Sequence, residues 1–145
     1  MEWLVIFIIV IVAIIIVVLS LFAIAYIKQI KGIVAKGGIK TIYKPLIDGL
    51  LEYHSARVIQ DKTIFLTIGG TFTTPFYRNR ECGFWSVIIQ PRFKILNVKY
   101  QAHIDLGGGE TAKKEWNFPI NMAQEDILTI IKKEADKWDV FGLIK

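Results

Sequence analysis

The 145-residue chain holds one cysteine, two histidines and four prolines, and no acidic residue from Trp3 to Ile47. Each scarcity excludes something. A lone Cys82 closes no intramolecular disulfide, so a disulfide-stapled scaffold is out. Two histidines, His54 and His103, supply too few ligands for an imidazole-based metal site, which needs three or four donors converging. No Asn-X-Ser/Thr sequon is present, and neither is a G-x-S-x-G elbow, an H-E-x-x-H helix or a G-x-x-x-x-G-K-[ST] phosphate loop. The expectation is a non-enzyme: no catalytic residues, no cofactor and no metal.

What is present starts with a long hydrophobic run. Trp3 to Ile27 is apolar and interrupted only by Ser20, and it accounts for much of the 53% apolar content and the mean hydropathy of +0.44. About 20 apolar residues at about 1.5 Å rise cross a bilayer core of about 30 Å. The run therefore reads as one transmembrane helix, its many β-branched residues held helical because unpaired backbone groups in lipid cost several kcal/mol. Ala23-Ile24-Ala25 has the small-x-small form of a cleavage site, but the run is too long for a signal peptide and its amino-terminal side lacks basic residues.

Beyond the run come Lys28, Lys31, Lys36, Lys40 and Lys44. By the positive-inside rule these keep the carboxyl-terminal side in the cytoplasm and leave the short amino terminus outside. They also account for the pI near 9.3, because residues 45–145 carry 13 basic and 12 acidic side chains. The basic balance thus points to anionic lipid head groups rather than to nucleic acid, which is not expected as a partner.

The chain divides into an anchor helix with a basic amphipathic stalk (1–36), a hinge and basic collar (37–44) opened by Gly37-Gly38, and an α+β domain (45–145). In the domain, Pro45 begins a helix reaching about His54, with Leu46, Ile47, Leu50 and Leu51 on one face. Strands are expected over 57–60 and 63–68, the second closed by Gly69-Gly70, and over 84–90, ended by Pro91. The stretch 71–83 lacks a period and reads as a loop. Leu96, Val98, Tyr100, Ala102, Ile104 and Leu106 alternate with polar residues, the mark of a strand with one wet face. Gly107–Gly109 turns the chain into a last strand, 113–118. A final helix has Asn121 as N-cap and Gln124 at the capping-box position. The fold class expected is an antiparallel sheet of about five strands covered by two helices, behind one transmembrane helix.

Candidate chemistry is sparse. His103 and Asp105 share a strand face and would serve a small hydrolase, or simply a solvated surface. Cys82 has no partner that would activate it. Phe76, Tyr77, Arg78, Arg80, Trp85 and Arg92 form a neighbourhood of arginines and aromatics, types enriched at protein interfaces. The reading that follows is a single-pass, membrane-anchored interaction or scaffold subunit of a membrane complex. Its partners would be the bilayer, with its anionic head groups, and a protein partner or second copy. The alternatives are a lipid- or small-ligand-binding domain, with a pocket among Trp85, Tyr100, Trp116 and Phe118, the hydrolase, and a domain on the extracytoplasmic side.

Overall fold

The structure, a computed structural model, describes residues 1–74, 80–105 and 109–137. Its elements are α1 (Glu2–Ala35), α2 (Ile39–Ile42), α3 (Lys44–Leu51), β1 (Arg57–Asp61), β2 (Leu66–Thr74), β3 (Arg80–Arg92), β4 (Ile95–Ile104), β5 (Glu110–Pro119) and α4 (Gln124–Asp136). The five strands form one antiparallel meander in the order β1-β2-β3-β4-β5, giving the α+β fold. Each strand pairs with its sequence neighbour, so every sheet contact is closed by a short connection.

α1 is continuous for 34 residues, about 50 Å at 1.5 Å per residue. Its window of highest hydropathy has no buried residue, which makes it a candidate membrane-spanning helix. Ser20 sends its hydroxyl back to the Ile16 carbonyl at 2.7 Å, so the run's one hydroxymethyl group is satisfied within the helix. The helix ends where Gly37 adopts φ +88°, with Gly37 N–H bonded to the Val34 carbonyl and Gly38 N–H to the Ile33 carbonyl, a Schellman cap. Residues 37–44, expected as a hinge and collar, hold the Gly37-Gly38 turn and the short α2, and Ile33 before the turn and Ile39 and Tyr43 after it are all in the core.

The core lies between one sheet face and α2, α3 and α4. Leu66, Ile68 and Phe72 of β2, Trp85, Val87 and Ile89 of β3, and Leu96, Val98, Tyr100 and Ala102 of β4 point into it. From the helices come Leu46, Ile47, Leu50, Ile127, Ile131 and Ala135. α3 and α4 approach closely at Gly49, where a Cβ would lie 2.2 Å from Leu128 Cδ2. The opposite sheet face has no helix on it among the described elements.

Several boundaries differ from expectation. Of the loop expected over 71–83, residues 71–74 are instead the end of β2 and 80–83 the start of β3, paired from Leu66↔Ile89 to Thr74↔Arg80 with an irregularity after Phe72 that leaves Cys82 as the extra residue, while residues 75–79 lie outside the described residues. β2 runs through Gly69 and Gly70 because the sheet needs them: a Cβ on Gly69 would sit 2.6 Å from the Trp85 carbonyl, and one on Gly70 2.8 Å from Ser55 Oγ. β3 continues through Pro91, opposite Leu96. β2 starts only at Leu66, opposite Ile89, so Pro91 has a neighbour on one side and its missing N–H costs no ladder bond on the other. α4 has Ala123 at its N-cap with no side-chain cap bond, not Asn121. Gln124 is used across elements: its Nε2 donates to the Ile42 carbonyl at 2.9 Å, and its Oε1 accepts from Leu46 N–H at 3.3 Å. It joins the end of α2 to the first turn of α3.

Candidate functional site

The uncovered sheet face is built by the odd-and-even alternation of its strands. The register sets Thr71, Phe84, His103 and Thr111 in one row across β2, β3, β4 and β5, and Gly69, Ser86, Gln101 and Lys113 in the next. Over β1, β2 and β3 this face sinks into an open groove of about 570 Å³ lined by Arg57, Ile59, Thr67, Gly69, Glu81 and Phe84 among others. Gly69, the one residue of its row without a side chain, is covered by Ile59, whose Cδ1 lies 2.5 Å from where a Gly69 Cβ would be. Ile59 and Phe84 stand 53% and 45% exposed at the groove's sides, large apolar surfaces turned to solvent, with Arg57 and Glu81 supplying opposite charges.

At the next strand pair, His103 is held at both nitrogens: Nδ1 is 2.8 Å from Thr111 Oγ1 and Nε2 is 2.7 Å from Asp105 Oδ1. With the proton on Nε2 donating to the carboxylate, Nδ1 accepts from the threonine hydroxyl. Phe84 lies against the ring, centroids 5.6 Å apart. A hydroxyl, an imidazole and a carboxylate in line have the order of a catalytic relay, but here the Asp105 side chain is 67% exposed, where an orienting carboxylate is ordinarily buried. Among the described residues no three His, Cys, Asp or Glu side chains gather to hold a metal. His54 is exposed and lies between α3 and β1, outside the strands.

Cys82 is buried, its thiol 3.5 Å from the Phe72 carbonyl, and burial pushes its pKa up, away from the thiolate that nucleophilic chemistry needs. Of the pocket expected among Trp85, Tyr100, Trp116 and Phe118, Trp85 and Tyr100 line one small space in the core, which Trp116 and Phe118 do not reach. The space lined by Leu50, Tyr53, Trp85, Val87, Tyr100, Ile131 and Ala135 is about 10 Å³, the size that holds one water at most. Trp116 and Phe118 stack on one another, centroids 6.2 Å apart, at the edge strand.

The expected cluster of arginines and aromatics is not one place. Phe76, Tyr77 and Arg78 lie outside the described residues. Arg80 and Arg92 are the two ends of β3, twelve steps of about 3.3 Å or roughly 40 Å apart along the strand. Trp85 is 5% exposed and faces the core, edge-on to Tyr53 at 5.7 Å. Arg92 is exposed and donates to Gln90 Oε1 at 2.7 Å. The flanking lysines Lys28, Lys31, Lys36, Lys40 and Lys44 are all exposed, and Lys44 is engaged by Asp48 one turn on. The groove, by contrast, gave no sequence signal: Ile59, Gly69 and Phe84 come from three strands, and the β2–β3 register together with the irregularity of β1 at Ile59 brings them to one face. No protein-family model, no curated protein and no solved structure matches the chain.

Proposed function

We propose that the chain is a single-pass, membrane-anchored, non-enzymatic interaction subunit of a membrane complex, presenting its α+β domain on the cytoplasmic side. The observation that carries this reading is the one-sided sheet. Helices cover one face, while the other keeps an open groove with Ile59 and Phe84 exposed on it, apolar surface that a solitary domain gains nothing by displaying. The apolar α1 supports the anchoring, and five lysines after the run support the orientation. Confinement to a membrane raises the domain's effective concentration for any partner there, so even a modest contact face suffices.

The test is cross-linking in cells followed by purification of tagged full-length protein in several mild detergents. A discrete cross-linked species is expected, and Ile59→Glu with Phe84→Glu should remove it while the domain stays folded. A protein that emerges alone and monomeric in every condition overturns the reading. A lipid or small ligand in the same groove is the second reading, favoured by its volume. It predicts an extractable small molecule whose retention also depends on Phe84.

A further inference from the structure

The turn between β3 and β4 lies against the anchor helix. Phe93 packs edge-on against Phe22, ring centroids 6.5 Å apart at 76°. Below that contact a crevice of about 290 Å³ runs between Tyr26, Ile30 and Ile33 of α1 and, from the domain, Ile64 of the β1–β2 connection, Pro91 of β3 and Phe93 of the turn. Ile33 is itself a core residue, so helix and sheet are joined by packing as well as by the chain. Phe22 precedes Lys28, the first charge after the apolar run, by six residues, about 9 Å along the helix. Any placement of α1 across a bilayer that sets Lys28 among the head groups carries Phe93 below them.

The turn's composition suits that depth. Phe93 is 49% exposed, and Ile95 and Ile120 beside it are 37% and 40% exposed, the last tied in by its N–H to the Lys94 carbonyl at 3.0 Å. Arg92 and Lys94, both exposed, flank the ring. Phe93 also holds φ +49°, a conformation that hairpin turns ordinarily give to Gly or Asn and that a bulky ring adopts at a cost. An aromatic tip between two basic residues is the arrangement of an interfacial anchor, the ring at the acyl boundary and the cations at lipid phosphates.

We propose that the β3–β4 turn is a second, non-spanning membrane contact, with Phe93, Ile95 and Ile120 entering the interface of an anionic bilayer and Arg92 and Lys94 meeting its head groups. The proposal rests on the reading of α1 as a membrane span. It fixes the pose of the domain: β3 and β4 stand with this turn at the bilayer, and the ends near Arg80 and Ile104, with the His103 row, are held away from it.

The experiment uses full-length protein reconstituted into phosphatidylcholine vesicles with or without phosphatidylglycerol. An environment-sensitive thiol probe is placed by Phe93→Cys, by Lys113→Cys near the far end, or by Ile14→Cys in the run; wild type, with Cys82 buried, is the unlabelled control. Brominated lipids quench by depth. Expected are deep quenching at 14, shallow quenching at 93 and none at 113. Quenching at 14 without quenching at 93 overturns the turn contact and leaves the anchor standing. Absence of quenching at 14 overturns the anchor, and the turn contact with it. Phosphatidylglycerol should strengthen quenching at 93 about twofold or more, and Arg92→Gln with Lys94→Gln should abolish that gain. Should the gain persist in the double variant, the head-group role of the two cations is overturned. Phe93→Gly, which relieves the backbone, tests the ring separately: it should fold at least as stably in detergent, yet lose the protection of Lys113→Cys-labelled protein from domain-directed proteolysis that anionic vesicles give.

Discussion

At the scale of residues, two side chains carry expectations out of proportion to their size. Gln124 satisfies a carbonyl at the end of α2 and an N–H in the first turn of α3, both half-buried. Gln124→Ala leaves both without that partner, and a loss of about 1–3 kcal/mol is expected in denaturant melts of the detergent-solubilised protein. Asn121→Ala, by contrast, should change little, because Asn121 is exposed and caps nothing. Tyr100 is 2% exposed, and its hydroxyl has no hydrogen-bond partner among the described residues. Tyr100→Phe removes a buried polar group and keeps the ring, so stability should hold or rise. Burial raises the pKa of Tyr100 and of Tyr43. The unfolded chain then releases these protons at a lower pH than the folded one. Stability is therefore full below the unfolded value of about 10 and is lost as pH rises above it, by up to about 1.4 kcal/mol per pH unit for each group. Melts taken across that range should show the decline, and Tyr100→Phe should make it shallower.

At the scale of elements, legibility followed periodicity. β4 was readable because Leu96 to Ile104 alternates without interruption, and α3 and α4 because their apolar residues keep helical spacing. The join of β2 and β3 was not readable. Gly69, Gly70 and Gly83 look like terminators in a sequence, yet they are places where strands crowd; a Cβ on Gly83 would lie 2.0 Å from the His103 carbonyl oxygen. Gly83→Ala must push β3 from β4, and a loss of about 3 kcal/mol or more is expected. Pro91 misled for a related reason, since one residue type marks both strand ends and tolerated edge positions. The end of α1 is the third instance. Its stalk pattern of Ile30, Ile33 and Val34 reads as an amphipathic helix leaving the membrane, but Ile33 is 7% exposed and Val34 59%. Ile33→Ala should cost about 2–5 kcal/mol in domain unfolding, like any core truncation, while Val34→Ala should cost close to nothing. Equal small effects would mean that α1 and the domain are not packed together.

At the scale of the whole molecule, the exposed charges and the packing constrain one another. α1 enters the core through Ile33, the turn at Gly37 and Gly38 is capped, and Phe93 reaches back to Phe22, so three points tie the domain to its helix. A domain held this way carries its lysines in fixed positions around the helix exit, where each cation near an anionic surface contributes about 1 kcal/mol. On the proposed orientation, with Lys28, Lys31, Lys36 and Lys40 exposed around the exit and Arg92 and Lys94 at the turn, inverting the chain would carry six cations and a folded domain across the bilayer. Orientation should therefore be uniform. Because Cys82 is buried, native thiol labelling is silent on the matter, and Lys113→Cys supplies an exposed reporter on β5. In intact cells a membrane-impermeant maleimide should leave this cysteine unlabelled until the membrane is permeabilised. Replacing the four exit lysines with glutamine should yield a fraction labelled without permeabilisation, since the charge bias that sets orientation is then reduced to the domain's own. Labelling of the unmodified-flank protein in intact cells would place the domain, its groove and its partner on the opposite side.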